Sequence, residues 1–399
     1  MLLSRKTSNS HDLWLELFAG QKTSSGYNVN INSAVGVSAV FGCNRVIANG
    51  IAQPPLKLML ETDKARIPAR DHPLYYLMSS KPNRWQTSFQ WRQMVSWHVE
   101  LTGNHFSFIN RLGNRIIELF PFQPDKVEII NLGRGEYEYK VYGDKGETQT
   151  FPQSAILHLR GPSYTGIAGM DIIKIAREAI GLSIAAETAS GSLHSNGVRP
   201  SGVYTVDGEL SDTQYKALAT WVHKFSAGGE NVGKPLILDK AAKWQSTQMT
   251  GVDAQTLETR KYQVEEVCRF YGVNPIMVQY SDKATTYASA EQMFIAHDRD
   301  CLAPRWTNYE QEFDAQLLTE QDRKSGYYFD FVEEGMIRGS IRDTKDVILG
   351  YVNGGLMTPN EGRAKLDMNP DPDPKSNELR IPVYLVGEEK EPTSEEVIK

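Results

Sequence analysis

The sharpest chemical pattern in the chain is GGENVGKP, residues 228–235. It matches the start of a phosphate-cradling loop, G-x-x-x-x-G-K, in which backbone N–H groups and the lysine hold phosphate oxygens. Two features oppose that chemistry. Pro235 stands where a Ser or Thr hydroxyl would bind magnesium. The flanking pattern also puts a helix before the loop and a strand after it, so no helix N-terminus is aimed at a phosphate. Gly228 to Lys234 therefore reads as a glycine turn joining helix to strand, and nucleotide hydrolysis is the alternative.

The remaining patterns are weaker. HDRD at 297–300 resembles part of a kinase catalytic loop, but it lies inside a long helical pattern without the other kinase parts and reads as a solvated helix face. His98 and Glu100 form the H-x-E of a zinc deaminase, yet no P-C-x-x-C accompanies them. His98 falls on the apolar face of its helix and reads as a core histidine. DPDP at 371–374 lacks the glycine and closing spacing of a calcium loop and reads as a turn. GPSYTG at 161–166 is not a nucleophile elbow. Cys43, Cys268 and Cys301 are odd in number and far apart in sequence, which opposes a disulfide framework or a zinc site and favours a reducing compartment. The expectation is a protein without catalytic machinery, metal or cofactor.

Composition agrees with a folded protein. The chain has 399 residues, 40% hydrophobic and 23% charged, enough for two or three domains around a large core. No run of 18 apolar residues offers a membrane span, and MLLSRKTSNS has no apolar stretch for a signal peptide. A net charge of −6 opposes a general basic surface for gripping nucleic acid.

The elements read as α+β. Residues 1–32 are polar and read as a loose arm. Val37, Val40, Val46, Ile47 and Ile51 mark a helix that Pro54 and Pro55 stop. LKLML and ARIPA suggest a hairpin. Thr87 with Gln90 is a capping box that opens a helix burying Trp91, Met94, Val95, His98 and Leu101, ended at Gly103-Asn104. Short strands follow in HFSFIN, RIIELFPF, KVEII, YEYKVY and AILHLRG. A helix over 171–196 is rich in small residues, including Ala176, Ala179, Ser183, Ala185 and Ala186. SGVYTV, a short helix over LSDTQYKALATWVHKF and the strand KPLILD lead to another helix over 253–271. A polar loop then precedes a long helix, about 289–318, along which Leu302, Trp306, Tyr309, Phe313 and Leu317 step and within which Pro304 predicts a kink. The strand YYFDF, a helix around TKDVILGYV and a last helix capped by Thr358 with Glu361 complete the pattern. The acidic tail reads as disordered.

Seven stretches, in order, resemble the portal proteins of tailed bacteriophages with Hong Kong-type capsids: SAVFGCNRVIANGIAQPPLKLM, HPLYYLMSSKPNRWQTSFQWRQMVSWHVELTGNHFSFI, GMDIIKIAREAIGLSIAAE, NGVRPSGV, LETRKYQVEEVCRFYGVNPIMV, ATTYASAEQ and GLMTPNEGRAKLDMNP. The resemblance covers roughly residues 33 to 383. It implies a non-enzymatic ring, usually of twelve subunits, at one capsid vertex of the virion, through which double-stranded DNA is packaged and ejected. It also implies contacts with the terminase large subunit, with capsid or scaffold protein and with head-tail connector protein, and no membrane. The fold implied is a mixed α/β wing (33–170), two stem helices (171–196 and 253–271) around a small α/β clip (197–252), a tunnel loop (272–288), a kinked helix returning to the wing (289–335) and a short helical crown (336–386) before the acidic tail (387–399). The other readings are a phosphate-loop enzyme and a monomeric or small-oligomer binding protein.

On this resemblance, the nine residues Gln279, Tyr280, Ser281, Asp282, Lys283, Ala284, Thr285, Thr286 and Tyr287 would face the channel. Duplex DNA carries a negative charge about every 1.7 Å, so several cations per subunit would hold it fast. Here Asp282 and Lys283 offset each other and the rest is neutral, a surface that touches phosphates weakly and reads no sequence. Twelve copies would carry about −72 in all. The small side chains of Ala176, Ala179, Ser183 and Ala186 would let neighbouring subunits' helices pack closely.

Overall fold

The computed structural model describes residues 21–62, 65–143, 146–195, 202–206, 211–213, 216, 220, 242–246, 252–280, 287–332, 341–366 and 368–380. The chain divides into two units, Met1–Phe331 and Val332–Lys399. The first opens with a hairpin, β1 (Gln21–Lys22) with β2 (Asn28–Val29), and two helices, α1 (Ile31–Gly36) and α2 (Ser38–Ala52). Residues 21–32 therefore depart from the expected loose arm. Thr23 is buried, and the Ser24 N–H donates to Glu178 at 3.0 Å, which ties the hairpin to a later helix.

Next come β3 (Leu56–Glu61), β4 (Arg66–Pro68), α3 (Pro73–Ser79) and α4 (Ser88–Thr102). The capping box at Thr87 is present: its hydroxyl accepts from the Gln90 N–H at 3.3 Å, and Gln90 accepts from the Thr87 N–H at 3.0 Å. The helix ends at Gly103 with φ +78°, and a Cβ there would lie 2.3 Å from the Met170 carbonyl oxygen. Only glycine meets both conditions. The same corner is cross-linked by Asn104, whose side chain accepts from the Gly169 N–H at 2.7 Å.

Strands β5 (Asn104–Leu112), β6 (Arg115–Phe122), β7 (Val127–Gly133), β8 (Glu136–Tyr142), β9 (Thr148–Pro152) and β10 (Ile156–Arg160) form two antiparallel sheets, ordered β10-β5-β6 and β7-β8-β9. Phe106 pairs with Phe122, and Phe106, Tyr139 and Ile156 form a buried cluster between the sheets. The strand β9 was not expected from the sequence.

The predicted helix over 171–196 is two helices, α5 (Ile172–Ile175) and α6 (Arg177–Ser195), interrupted at Ala176. Short strands β11 (Gly202–Val206) and β12 (Ala242–Ser246) pair antiparallel, and α7 spans Val252–Tyr271. KPLILD, GGENVGKP and most of LSDTQYKALATWVHKF lie outside the described residues.

The predicted kinked helix also differs in detail. α8 (Tyr287–His297) runs into a π-helical turn, Asp298–Leu302, and then α9 (Ala303–Leu317). The irregularity lies before Pro304, which occupies the first turn of α9. The Ala303 N–H reaches back to the Asp298 carbonyl, so the wider π turn brings the chain into a first turn where proline's missing N–H costs little. Leu302, Trp306, Tyr309, Phe313 and Leu317 are all buried, as their spacing predicts. Phe313 meets Trp91 and Phe329 at ring-centroid distances of 6.1 and 5.8 Å. After α10 (Glu320–Lys324), β13 (Tyr327–Phe331) pairs with β3 to complete a third sheet, β13-β3-β4.

In the second unit, α11 (Ile341–Asn353) and α12 (Pro359–Lys365) pack through Ile348 and Val352 against Gly362. Thr358 and Glu361 form the predicted capping box. The DPDP segment is a capped turn: Asp373 accepts from the Lys375 N–H at 3.0 Å and Asp371 from the Asp373 N–H at 3.1 Å.

Candidate functional site

The polar loop that follows α7 is launched by a compact series of caps. Gly272 (φ +66°) ends α7, and the Val273 N–H returns to the Cys268 carbonyl at 3.0 Å, closing the helix C-terminus. Asn274 then accepts from the Ile276 N–H at 3.2 Å and caps a 3-10 turn over Pro275–Val278. The turn ends at Gln279, an exposed residue with φ +63°. Of the nine predicted loop residues, Gln279 and Tyr280 complete this launch and Tyr287 begins α8. Ser281, Asp282, Lys283, Ala284, Thr285 and Thr286 lie outside the described residues.

The 3-10 turn before the loop and the π turn after α8 rest on one helix. On the entering side, Val278 covers Gly42 of α2, and a Cβ there would stand 3.1 Å from the valine Cγ1. On the leaving side, Leu302 covers Gly50, where a Cβ would stand 2.5 Å from its Cδ1. The Trp306 indole N–H adds a bond to the Gly50 carbonyl at 3.3 Å. Two glycines, eight residues apart, thus seat on α2 Val278, just before the loop launch ends, and Leu302, the end of the π turn that follows α8. Their spacing was visible in SAVFGCNRVIANGIA, but nothing in the sequence said what would sit on them.

The leaving side is further held by a buried ion pair. Arg305 makes a two-pronged contact with Glu100 of α4, Nε to Oε1 at 2.7 Å and Nη2 to Oε2 at 3.0 Å. The same guanidinium donates to the carbonyls of Cys301 (2.7 Å) and Tyr271 (3.0 Å), so one side chain joins α4, the end of α7 and the π turn. Burial alone would lower the Arg305 pKa, but the adjacent Glu100 outweighs it and the net shift is upward. Both carboxylate oxygens of Glu100 are thus taken by Arg305. Arg92, on the same helix, is also buried: it donates to the carbonyls of Ile51 and Pro54 and closes the C-terminus of α2, while burial pulls its pKa down to about 10. Sequence patterning missed both arginines, because periodicity counts charged residues as outward-facing.

HDRD is not a wholly solvated face. His297 is only 5% exposed, and among the described residues neither ring nitrogen has a partner. Burial, and then the nearby Arg305 charge, pull its pKa down to about 4, so the ring is neutral. Arg299 and Asp300 are exposed and pair with each other. His98 is half-buried rather than in the core: it lines a cavity, while its Nδ1 lies 3.0 Å from Nδ1 of the buried His105, whose Nε2 bonds Ser107 at 2.8 Å. Among the described residues no cluster of His, Cys, Asp or Glu could hold a metal, and no helix is long and apolar enough to cross a membrane.

The small residues expected to pack between subunits differ in exposure. Ala176 is 2% exposed and buried within its own chain. Ser183 and Ala186 line a cavity of about 70 Å³ whose other walls are Val37 to Ala39, Arg260, Gln263 and Val264. Both are half-buried beside α2 and α7, as is Ala179, whose carbonyl accepts from Ser183 at 2.9 Å. Gly181 performs a similar task, lying so close to Thr23 that a Cβ would stand 2.5 Å from the threonine methyl. Among the described residues, Ile175 and Leu182 are the outward large apolar residues of this segment, 51% and 42% exposed. Small residues signal close approach of a neighbour, but spacing does not say which one.

Known proteins resemble this chain in sequence and in fold. The family model for phage portal protein matches residues 38–367. The portal protein of Enterobacteria phage HK97 is 25% identical over 384 residues, covering 94% of this chain and 90% of its own length. A protein of Streptomyces phage phiC31 described as a "probable portal protein" is 30% identical over 388 residues, covering 94% and 84%. Among solved structures, the neck of an empty gene transfer agent particle, computed with C6 symmetry, superposes with a TM-score of 0.60 at 18% identity, covering 92% of this chain and 96% of that one. A portal protein of the HK97 family from Corynebacterium diphtheriae gives a TM-score of 0.55 at 12% identity, covering 78% and 98%. Because the family match spans most of its length, the chain belongs to the phage portal protein family.

Proposed function

We propose that this portal-family chain closes into a ring at a capsid vertex and lines a channel for double-stranded DNA, with α6 and α7 as the stem. The loop from Gln279 to Tyr287 is the part that meets the passing duplex. The observation that carries the proposal is the family match over residues 38–367, and the docking of Val278, just before the loop, and of Leu302, beyond α8, on α2 supports it. The six-fold and twelve-fold symmetries in which gene transfer agent necks were computed favour a ring of twelve. Opposed charges at Asp282 and Lys283 and neutral neighbours suit a surface that DNA slides past. The segment 197–252 would dock the packaging motor and then the connector proteins, and capsid or scaffold protein would surround the wing. Ile175 and Leu182 face outward and would meet the neighbouring subunit.

Electron microscopy of the purified protein tests the ring: a particle with a central hole is expected, and one without a hole, or with residues 279–287 at the outer rim, refutes it. Thr285→Arg tests the loop by adding twelve cations to the channel. Rings should form normally, while packaged DNA per particle should fall by about tenfold or more, because each added phosphate contact strengthens retention. Unchanged packaging would remove the loop from the channel.

A further inference from the structure

Three buried thiols lie near the junction of α2, α7 and the π turn, and the portal role described above uses none of them. Far apart in sequence, two of them meet in space: Cys43 on α2 and Cys268 in the last turn of α7 are 225 residues apart, yet their sulfurs are 3.7 Å apart. Both are free and almost fully buried, at 0% and 1% exposure. A disulfide holds its sulfurs at roughly 2.05 Å, so the remaining gap is of the size that side-chain rotation can close. The contact with Cys43 favours loss of the Cys268 proton, and the geometry puts each sulfur within reach of the other. Cys301 is engaged elsewhere, accepting from the Arg305 guanidinium at 3.3 Å.

We propose that Cys43 and Cys268 are a cross-linking site, reduced while the chain is made inside a cell and joined by a hydroperoxide oxidant once the particle is outside it. Disulfides persist on virions but not in reducing interiors, and the same pair of thiols passes from one setting to the other. In the first step the Cys268 thiolate attacks one peroxide oxygen, the O–O bond breaks, and a sulfenic acid and an alkoxide form; the alkoxide takes up a proton to leave as alcohol. Cys43 then attacks the Cys268 sulfur and gives up its thiol proton as the S–O bond breaks, so the leaving hydroxide departs with that proton as water. Two thiols and one hydroperoxide thus give one disulfide, one alcohol and one water. The link staples α7, which launches the loop, to α2, on which Val278 and Leu302 rest. It depends on the virion location of the family and is independent of the ring.

The test treats the purified full-length protein with hydrogen peroxide, denatures it in N-ethylmaleimide and maps its peptides by mass spectrometry without reductant. The expected result is a Cys43–Cys268 linked peptide pair, two hydrogens lighter than the free peptides, with Cys301 alkylated. The melting temperature should rise by about 5 °C or more, because the link closes a long loop, and dithiothreitol should reverse the rise. Cys268→Ala and Cys43→Ala should each abolish the link and the shift. Full alkylation of both residues in treated wild-type protein, or a link through Cys301, overturns the proposal. The mapping needs no variant to fold and is scored whether or not microscopy shows rings, so the two ideas fail separately.

Discussion

The two flanks of the polar loop do the same job by different means. The entering flank, from Gly272 to Gln279, is held by local devices: a glycine closing a helix, an asparagine cap, a proline in the first turn and a left-handed Gln279. The leaving flank, from His297 to Arg305, has a π turn, a buried imidazole without a partner among the described residues, and an arginine that borrows its contacts from α4 and α7. Local caps hold within a few residues whatever the surroundings. A flank held by distant partners keeps its shape only while those partners stay in place, and this asymmetry is open to test.

The largest effect should come from Arg305→Ala. It leaves Glu100, only 6% exposed, without its cation, and frees the carbonyls of Cys301 and Tyr271. Urea unfolding should show a loss of about 3–5 kcal/mol. A loss under about 1 kcal/mol would mean that the leaving flank is not held by this pair.

The two glycines of α2 allow a direct contrast. Gly50→Ala pushes into Leu302 at the leaving flank and should cost about 1–3 kcal/mol, since the buried leucine has little room to move. Gly42→Ala meets Val278 at 3.1 Å and should cost less than about 1 kcal/mol. The reverse order in thermal melts would place the tighter contact on the entering flank. On that side, Asn274→Ala removes one cap and should cost about 1 kcal/mol.

The smallest effect at neutral pH belongs to His297→Leu, which removes two buried nitrogens lacking partners and should stabilise by about 0.5–1 kcal/mol. Its pH dependence is more telling. The folded-state pKa, about 4, lies below the ordinary value of 6.5, so the unfolded chain binds the proton first as pH falls. This contribution to wild-type stability is complete above about pH 6.5 and is lost as pH falls from there toward 4. The advantage of the leucine variant, followed by unfolding at a series of pH values, should therefore grow on acidification. A constant difference would show that the ring titrates normally in the fold.

Legibility in the sequence followed the same division. The capping boxes at Thr87 and Thr358, the glycine stop at Gly103, most strands of the first sheets and the apolar stripe from Leu302 to Leu317 were readable, as were seven ordered stretches of portal-like sequence. Each depends on neighbours within about one turn of helix or one strand, so the local sequence contains all the partners. The interruption at Ala176, the π turn before Pro304 and the ordered hairpin at residues 21–29 were not readable, because each is set by packing against distant residues.

By itself, the sequence determined the family, the α+β character and the launch of the loop from α7. Only the tertiary structure decided that Val278 and Leu302 both seat on α2, that Arg305 faces Glu100 across 205 residues, that β13 completes the sheet of β3, and that Gly181 of α6 meets Thr23. Periodicity states which side of an element is apolar or small; which other element covers that side depends on contacts between residues hundreds apart, and no local pattern encodes them.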